Sequence, residues 1–162
     1  MTEAIMGYYF RVFCTSPTVP PLNEVVQWVN DRGVSAQLAS HDNIENWGKA
    51  PVSIVYGEGQ PTFAAEVNRK DGEDSLAAQE INEFLDMLEE LKKSRKRDRV
   101  IQHLQQTQFV VACEIPAESF PDAGFHAIDV FMAYFVVHSG GMVQADGQGF
   151  YEMGKLTIEL AA

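Results

Sequence analysis

The sequence of 162 residues predicts an α+β fold: a two-layer sandwich of a mainly antiparallel sheet with helices on one face. Three observations lead there. Segments with apolar residues at every second position alternate with segments whose apolar residues recur at helical spacing. Each helical segment in the two outer thirds is followed by closely spaced strand segments joined by turn residues, a βαββ order. The composition, 46% hydrophobic and 22% charged, is that of one compact soluble domain, 1–162, and this length buries roughly 70% of its unfolded surface without disulfides or metal.

The first strand is YYFRVFCT, with Tyr8, Phe10, Val12 and Cys14 on one face and Tyr9, Arg11 and Phe13 on the other. A helix follows: Pro21 stands near its first turn, Leu22, Val25, Val26 and Val29 make its apolar stripe, and Gly33 stops it. A short strand near Val34–Leu38, the polar loop SHDNIENWGK and the hairpin VSIVY–GEGQP–TFAAEV complete the first third. Ile81, Phe84, Leu85, Leu88 and Leu91 then form one stripe on an acidic helix. Ile101 and Leu104 fall on another phase, which predicts a break within Ser94–Asp98 and a second short helix ending near Gln106. After the strand FVVACEIP, Asp122 can cap a helix from Ala123 to His138, closed by Gly140 or Gly141 in the left-handed conformation. MVQA, FYE and KLTIEL supply the last strands.

Phe10-x-Val12-x-Cys14-x-x-Pro17 recurs as Phe109-x-Val111-x-Cys113-x-x-Pro116. One reading is an internal duplication of two βαββ halves, 7–69 and 108–161, joined by a helical connection, 75–106. It would place the two repeat helices on one face of the sheet. The other reading is the compositional likeness of any two apolar strands.

Charge excludes some functions. Residues 92–99, KKSRKRDR, carry a local balance of +5, and the rest of the chain carries −16. Such a field repels nucleic-acid phosphates and anionic lipid, so neither nucleic acid nor membrane is an expected partner. The basic run reads as an exposed, solvated helix end with Glu89 three and four residues before Lys92 and Lys93. No apolar run reaches the ~18 residues of a membrane span. The first residues lack the positive start and small-residue cleavage site of a secretory signal, and there are two cysteines, so the expected location is cytoplasmic.

Catalytic motifs are scarce. SGGMVQADGQGFYE, residues 139–152, imitates a dinucleotide fingerprint, but the third required position is Glu152, strand-like sequence follows, and Asp146 and Glu152 would oppose an anion. Helix termination explains Gly140 and Gly141, and a hairpin turn explains Asp146-Gly147. Gln144, Asp146, Gly149, Tyr151 and Glu152 remain the ligand-binding candidates, as side chains that could line a cleft beside the last helix. His41, His103, His126 and His138 stand far apart, no Cys pair has zinc-ligand spacing, and no metal or cofactor is expected. Cys14 and Cys113 lie in apolar strands, a setting for inert packing.

The helix 123–138 is apolar nearly all round and must be covered on more than one side, by the sheet and by either the 75–106 connection or a second subunit, which makes a homodimer through this helix one possibility. Asp129 in its middle is expected to be ion-paired, with Arg11 the favoured partner. The competing expectation makes Asp129 functional beside His126, a residue otherwise read as a hydrogen-bonded boundary histidine. Function then divides into two classes. The first is a small acidic binding or regulatory protein without catalysis, taking a protein partner or a small ligand; small bacterial immunity and regulatory modules share its bulk properties. The second is a hydrolase-like enzyme using His126, Asp129, Asp146 and Glu152 around a cleft, which requires those groups to converge.

Overall fold

A computed structural model of the chain describes residues 8–39, 47–116 and 120–160. Twelve elements are present among them: β1 Tyr8–Cys14, α1 Leu22–Asp31, β2 Gln37–Leu38, β3 Val52–Val55, β4 Phe63–Arg69, α2 Leu76–Glu89, α3 Arg95–Gln105, β5 Phe109–Ile115, α4 Asp122–His138, β6 Gly141–Ala145, β7 Gly149–Glu152 and β8 Lys155–Glu159. The strands form one eight-stranded sheet in the order β2-β3-β4-β5-β1-β6-β7-β8, with every pairing antiparallel. The α+β sandwich is therefore present. The loop histidine His41 lies outside the described residues, and no described helix is long and apolar enough to cross a membrane.

Alternation decides which residues meet which helices. The even side chains of β1, Val12 and Cys14, join Phe109, Val111 and Cys113 of β5 in a core with α1 and α4. The odd side chain Phe13 joins Val110, Met142 and Phe150 in a second core with α2 and α3. The two helices α1 and α4 thus share a face, as expected. The connection between them takes the opposite face, so the sheet has helices on both sides and the two-layer expectation gains a third layer. The cause is the odd face of the central strands, which is as apolar as the even one and must also be covered.

The interruption between the connection's two helices falls at 90–94, slightly before the expected position. Ser94 ends it by accepting a hydrogen bond from the Arg97 amide at 3.1 Å, as an N-cap does. Gly140 closes α4 with φ of 62°, and Pro121, not Asp122, occupies its N-cap position.

The sequence echo has a geometric meaning. β1 and β5 are neighbours at the centre of the sheet, and their matching residues pair with each other: Phe10 opposite Cys113, Val12 opposite Val111, Cys14 opposite Phe109. The two meanders do not follow the same path. From α1 the chain goes to the sheet edge and returns inward through β2, β3 and β4, whereas from α4 it starts beside β1 and moves outward through β6, β7 and β8. A simple twofold does not relate halves with opposite strand orders, and the echo is accounted for by two strands sharing the same doubly covered setting.

Candidate functional site

α4 carries more apolar surface than its neighbours cover. Ala127, Ile128, Phe131, Met132, Tyr134 and Phe135 are buried, mostly against the sheet and α1. Phe125, Asp129, Met132, Val136 and Val137 follow one another at helical spacing along the flank turned toward β6 and β7. Opposite them, Gly141, Val143 and Ala145 of β6 and Tyr151 of β7 stand on the same sheet face. The space between is an open groove of about 840 Å³. The connection α2–α3 cannot close it, because that cover lies across the sheet.

The groove has an aromatic end and an exposed apolar lip. At one end aromatic rings meet edge to face: Tyr8 with Phe10 at 5.3 Å, Phe10 with Phe125 at 6.3 Å, and Phe125 with Phe120 at 5.1 Å. A short polar chain also belongs to the lining, where Tyr151 donates to Gln148 and Gln148 donates to the Tyr8 hydroxyl at 3.0 Å. The lip is formed by the two-residue β7–β8 turn, Met153-Gly154, both with positive φ, which leaves Met153 88% exposed. Val137 on the facing helix is 66% exposed, and Leu156, opposite Tyr151 in register, extends the apolar surface onto β8. Asp129 is the single charged residue of the lining among the described residues. It reaches solvent through the open side, and the apolar walls raise its pKa, an effect that His126 partly counters.

Arg11 does not meet Asp129. It projects from the odd face of β1, away from α4, where its Nε donates to Glu80 at 2.6 Å and its Nη1 donates to Asp146 at 2.6 Å and to Gln144 at 2.8 Å. Its guanidinium also lies over the rings of Tyr9 and Phe84. The expected pair fails because a strand's parity commits Arg11 to one face and α4 packs on the other.

The remaining candidates divide among several settings. Gln144 is buried and Asp146 is held by Arg11 and by the Tyr9 amide at 3.1 Å, so both belong to this ion-pair cluster. Gly149, with φ of 136°, lies so close to β8 that a side chain would overlap the Ile158 carbonyl. Tyr151 lines the groove. Glu152 turns to the α3 side, where Arg99 donates to it at 2.8 Å and Thr157 at 3.0 Å, and these bonds hold its pKa down. His126 and Asp129 share α4, separated from Asp146 and Glu152 by the sheet. His103 meets the Phe13 carbonyl at 2.7 Å, and His138 packs edge to face against Trp28 and at a tilt against Tyr134. Burial pushes both cysteine thiols up, out of the range of a reactive thiolate. Among the described residues no cluster has the makings of a metal site.

Sequence reasoning missed Glu80, Phe10, Met132 and Met153 as members of these two sites. Glu80 carried no signal beyond its position next to the apolar Ile81. For Met153 the signal was present: a Met-Gly step between two short strands is a hairpin turn that displays a long apolar side chain.

No protein-family model matches the chain, and no curated protein or solved structure gives a significant match.

Proposed function

We propose that this is a binding protein without catalytic activity and that its working surface is the groove between α4 and β6–β7. The observation that carries the reading is the groove itself: about 840 Å³, walled by apolar side chains, with the lip residues Val137 and Met153 left in solvent. Ligand sites are concave, mostly apolar and furnished with few polar groups, and this volume lies in the range of ~300–1,000 Å³ that small-molecule sites occupy. The enzyme reading asks His126, Asp129, Asp146 and Glu152 to converge, and Asp146 and Glu152 are engaged by Arg11 and Arg99 on the other side of the sheet.

The test is titration with Nile red, a neutral dye that brightens in apolar surroundings. Saturable binding is expected, and Ala133→Trp, which fills the groove from its helical wall, should abolish it. Dye fluorescence indifferent to that substitution would defeat the proposal.

A second reading is favoured by the apolar lip, which extends through Leu156: a second copy could cover it. An isologous contact across α4 would, however, bring Asp129 toward its own symmetry mate, with no Lys or Arg among the described lining residues to compensate. Sedimentation equilibrium decides, and a monomer is the expected result.

A further inference from the structure

We propose that the groove selects a hydrophobic small molecule carrying one positive charge, with Asp129 as its counter-ion. This rests on the reading of the groove as a binding site and adds the chemistry of the occupant.

Asp129 interrupts an otherwise apolar stripe of α4, one turn after Phe125 and one turn before Met132 and Ala133, and it belongs to the groove's lining with all three. Asp129 is exposed to solvent through the open side of the groove. An occupant that seals the groove removes that exposure, and an ionised carboxylate without a partner in apolar surroundings is strongly disfavoured. Among the described residues neither Lys nor Arg lines the groove, and the imidazole of His126, three residues away, is exposed to solvent and stands outside the lining. The compensating charge must therefore come with the ligand.

The surroundings favour a cation independently of Asp129. Phe125 and Phe10 stand edge to face beside the acidic position, and aromatic faces attract desolvated cations. Neutral and anionic ligands of the same shape gain the apolar contacts but leave Asp129 unpaired or opposed, so charge is the selecting feature.

Tetraphenylphosphonium and tetraphenylborate, nearly identical in size and opposite in sign, are the probes, with affinities measured by calorimetry on the full chain. The wild type should bind the cation more tightly than the anion by about tenfold or more, the scale of one charge-assisted contact. Asp129→Asn should weaken the cation by roughly tenfold. Asp86→Asn, an equal change of net charge on the exposed side of α2, should leave its affinity within about twofold, because α2 packs on the sheet face opposite the groove and its exposed charges are screened by solvent and salt. Ala133→Trp should abolish binding of the cation. Equal affinity for the two ions, or equal effects of the two Asn variants, would overturn the charge selection while Nile red binding kept the groove reading intact. Failure of Nile red and of both ions would remove the groove reading and this inference together.

Discussion

Strands β6, β7 and β8 have two faces with opposite fates. Toward α2 and α3 they send Met142, Phe150 and Ile158, and Phe150 is fully buried between Phe13 at 5.9 Å and Phe84 at 5.5 Å. Toward α4 they send Val143, Ala145 and Tyr151, which meet only the flank of that helix and leave a groove. The acids differ in the same way. Asp146 has a guanidinium and a backbone amide, whereas Asp129 has apolar walls and open solvent. One face is closed as core, and the other is left as an open groove.

The sharpest way to break this comparison is a pair of adjacent substitutions. Phe150→Ala should cost about 3–5 kcal/mol in urea unfolding, the usual result of emptying a buried aromatic site. Tyr151→Ala, one residue on and facing the groove, should cost about 1 kcal/mol or less while impairing dye binding. Equal losses of stability would mean that the groove wall is core after all.

Next in size is Arg11→Met. Removing one member of a buried ion pair costs ~3–5 kcal/mol, and the partial exposure of Asp146 reduces this to about 2–3 kcal/mol. The Glu80 carboxylate would then keep one oxygen already buried without a partner and lose the bond to the other. A loss below about 1 kcal/mol would show the cluster to be as weak as an ordinary surface pair.

Asp129→Asn should have the smallest effect, and of opposite sign: a slight rise in melting temperature at pH 7. The Asp129 pKa is raised in the fold above its ordinary 3.8, so the folded state holds the proton more tightly than the unfolded chain. Its ionisation therefore disfavours the fold above the folded pKa, and this penalty disappears as pH falls through that pKa toward 3.8. The advantage of the Asn variant, followed by calorimetry at stepped pH, should shrink over the same interval. A variant less stable than wild type at pH 7 would mean that the carboxylate has a structural partner.

Strand parity made much of the fold legible. The two faces of β1, the stripe of α1, the phase change between Leu91 and Ile101 and the hairpin at 52–67 all follow from local spacing, and local spacing is what a single sequence records. What it does not record is the side of the sheet on which each helix settles. Arg11 was readable as a buried cation needing acids, yet Glu80 and Asp146 become its partners only because the connection, and not α4, covers the odd face. The same uncertainty hid the groove. The all-round apolarity of α4 announced unsatisfied surface, and which neighbour fails to cover it depends on the opposite strand orders of the two meanders.

Those strand orders also govern how the chain reaches its folded state. β1, synthesised early, has both of its sheet neighbours far downstream, β5 beyond the whole connection and β6 beyond α4; Arg11 and Gln144, for instance, lie 133 residues apart. Loop closure of that length must precede the central ladder, which places the protein among high-contact-order, slow folders. The first strand leaves the ribosome as an apolar, unpaired edge and stays one until most of the chain has followed, a long interval of exposure to aggregation. Each half has lent its first strand to the other, so a fragment of either half would lack the neighbour that completes its own ladder.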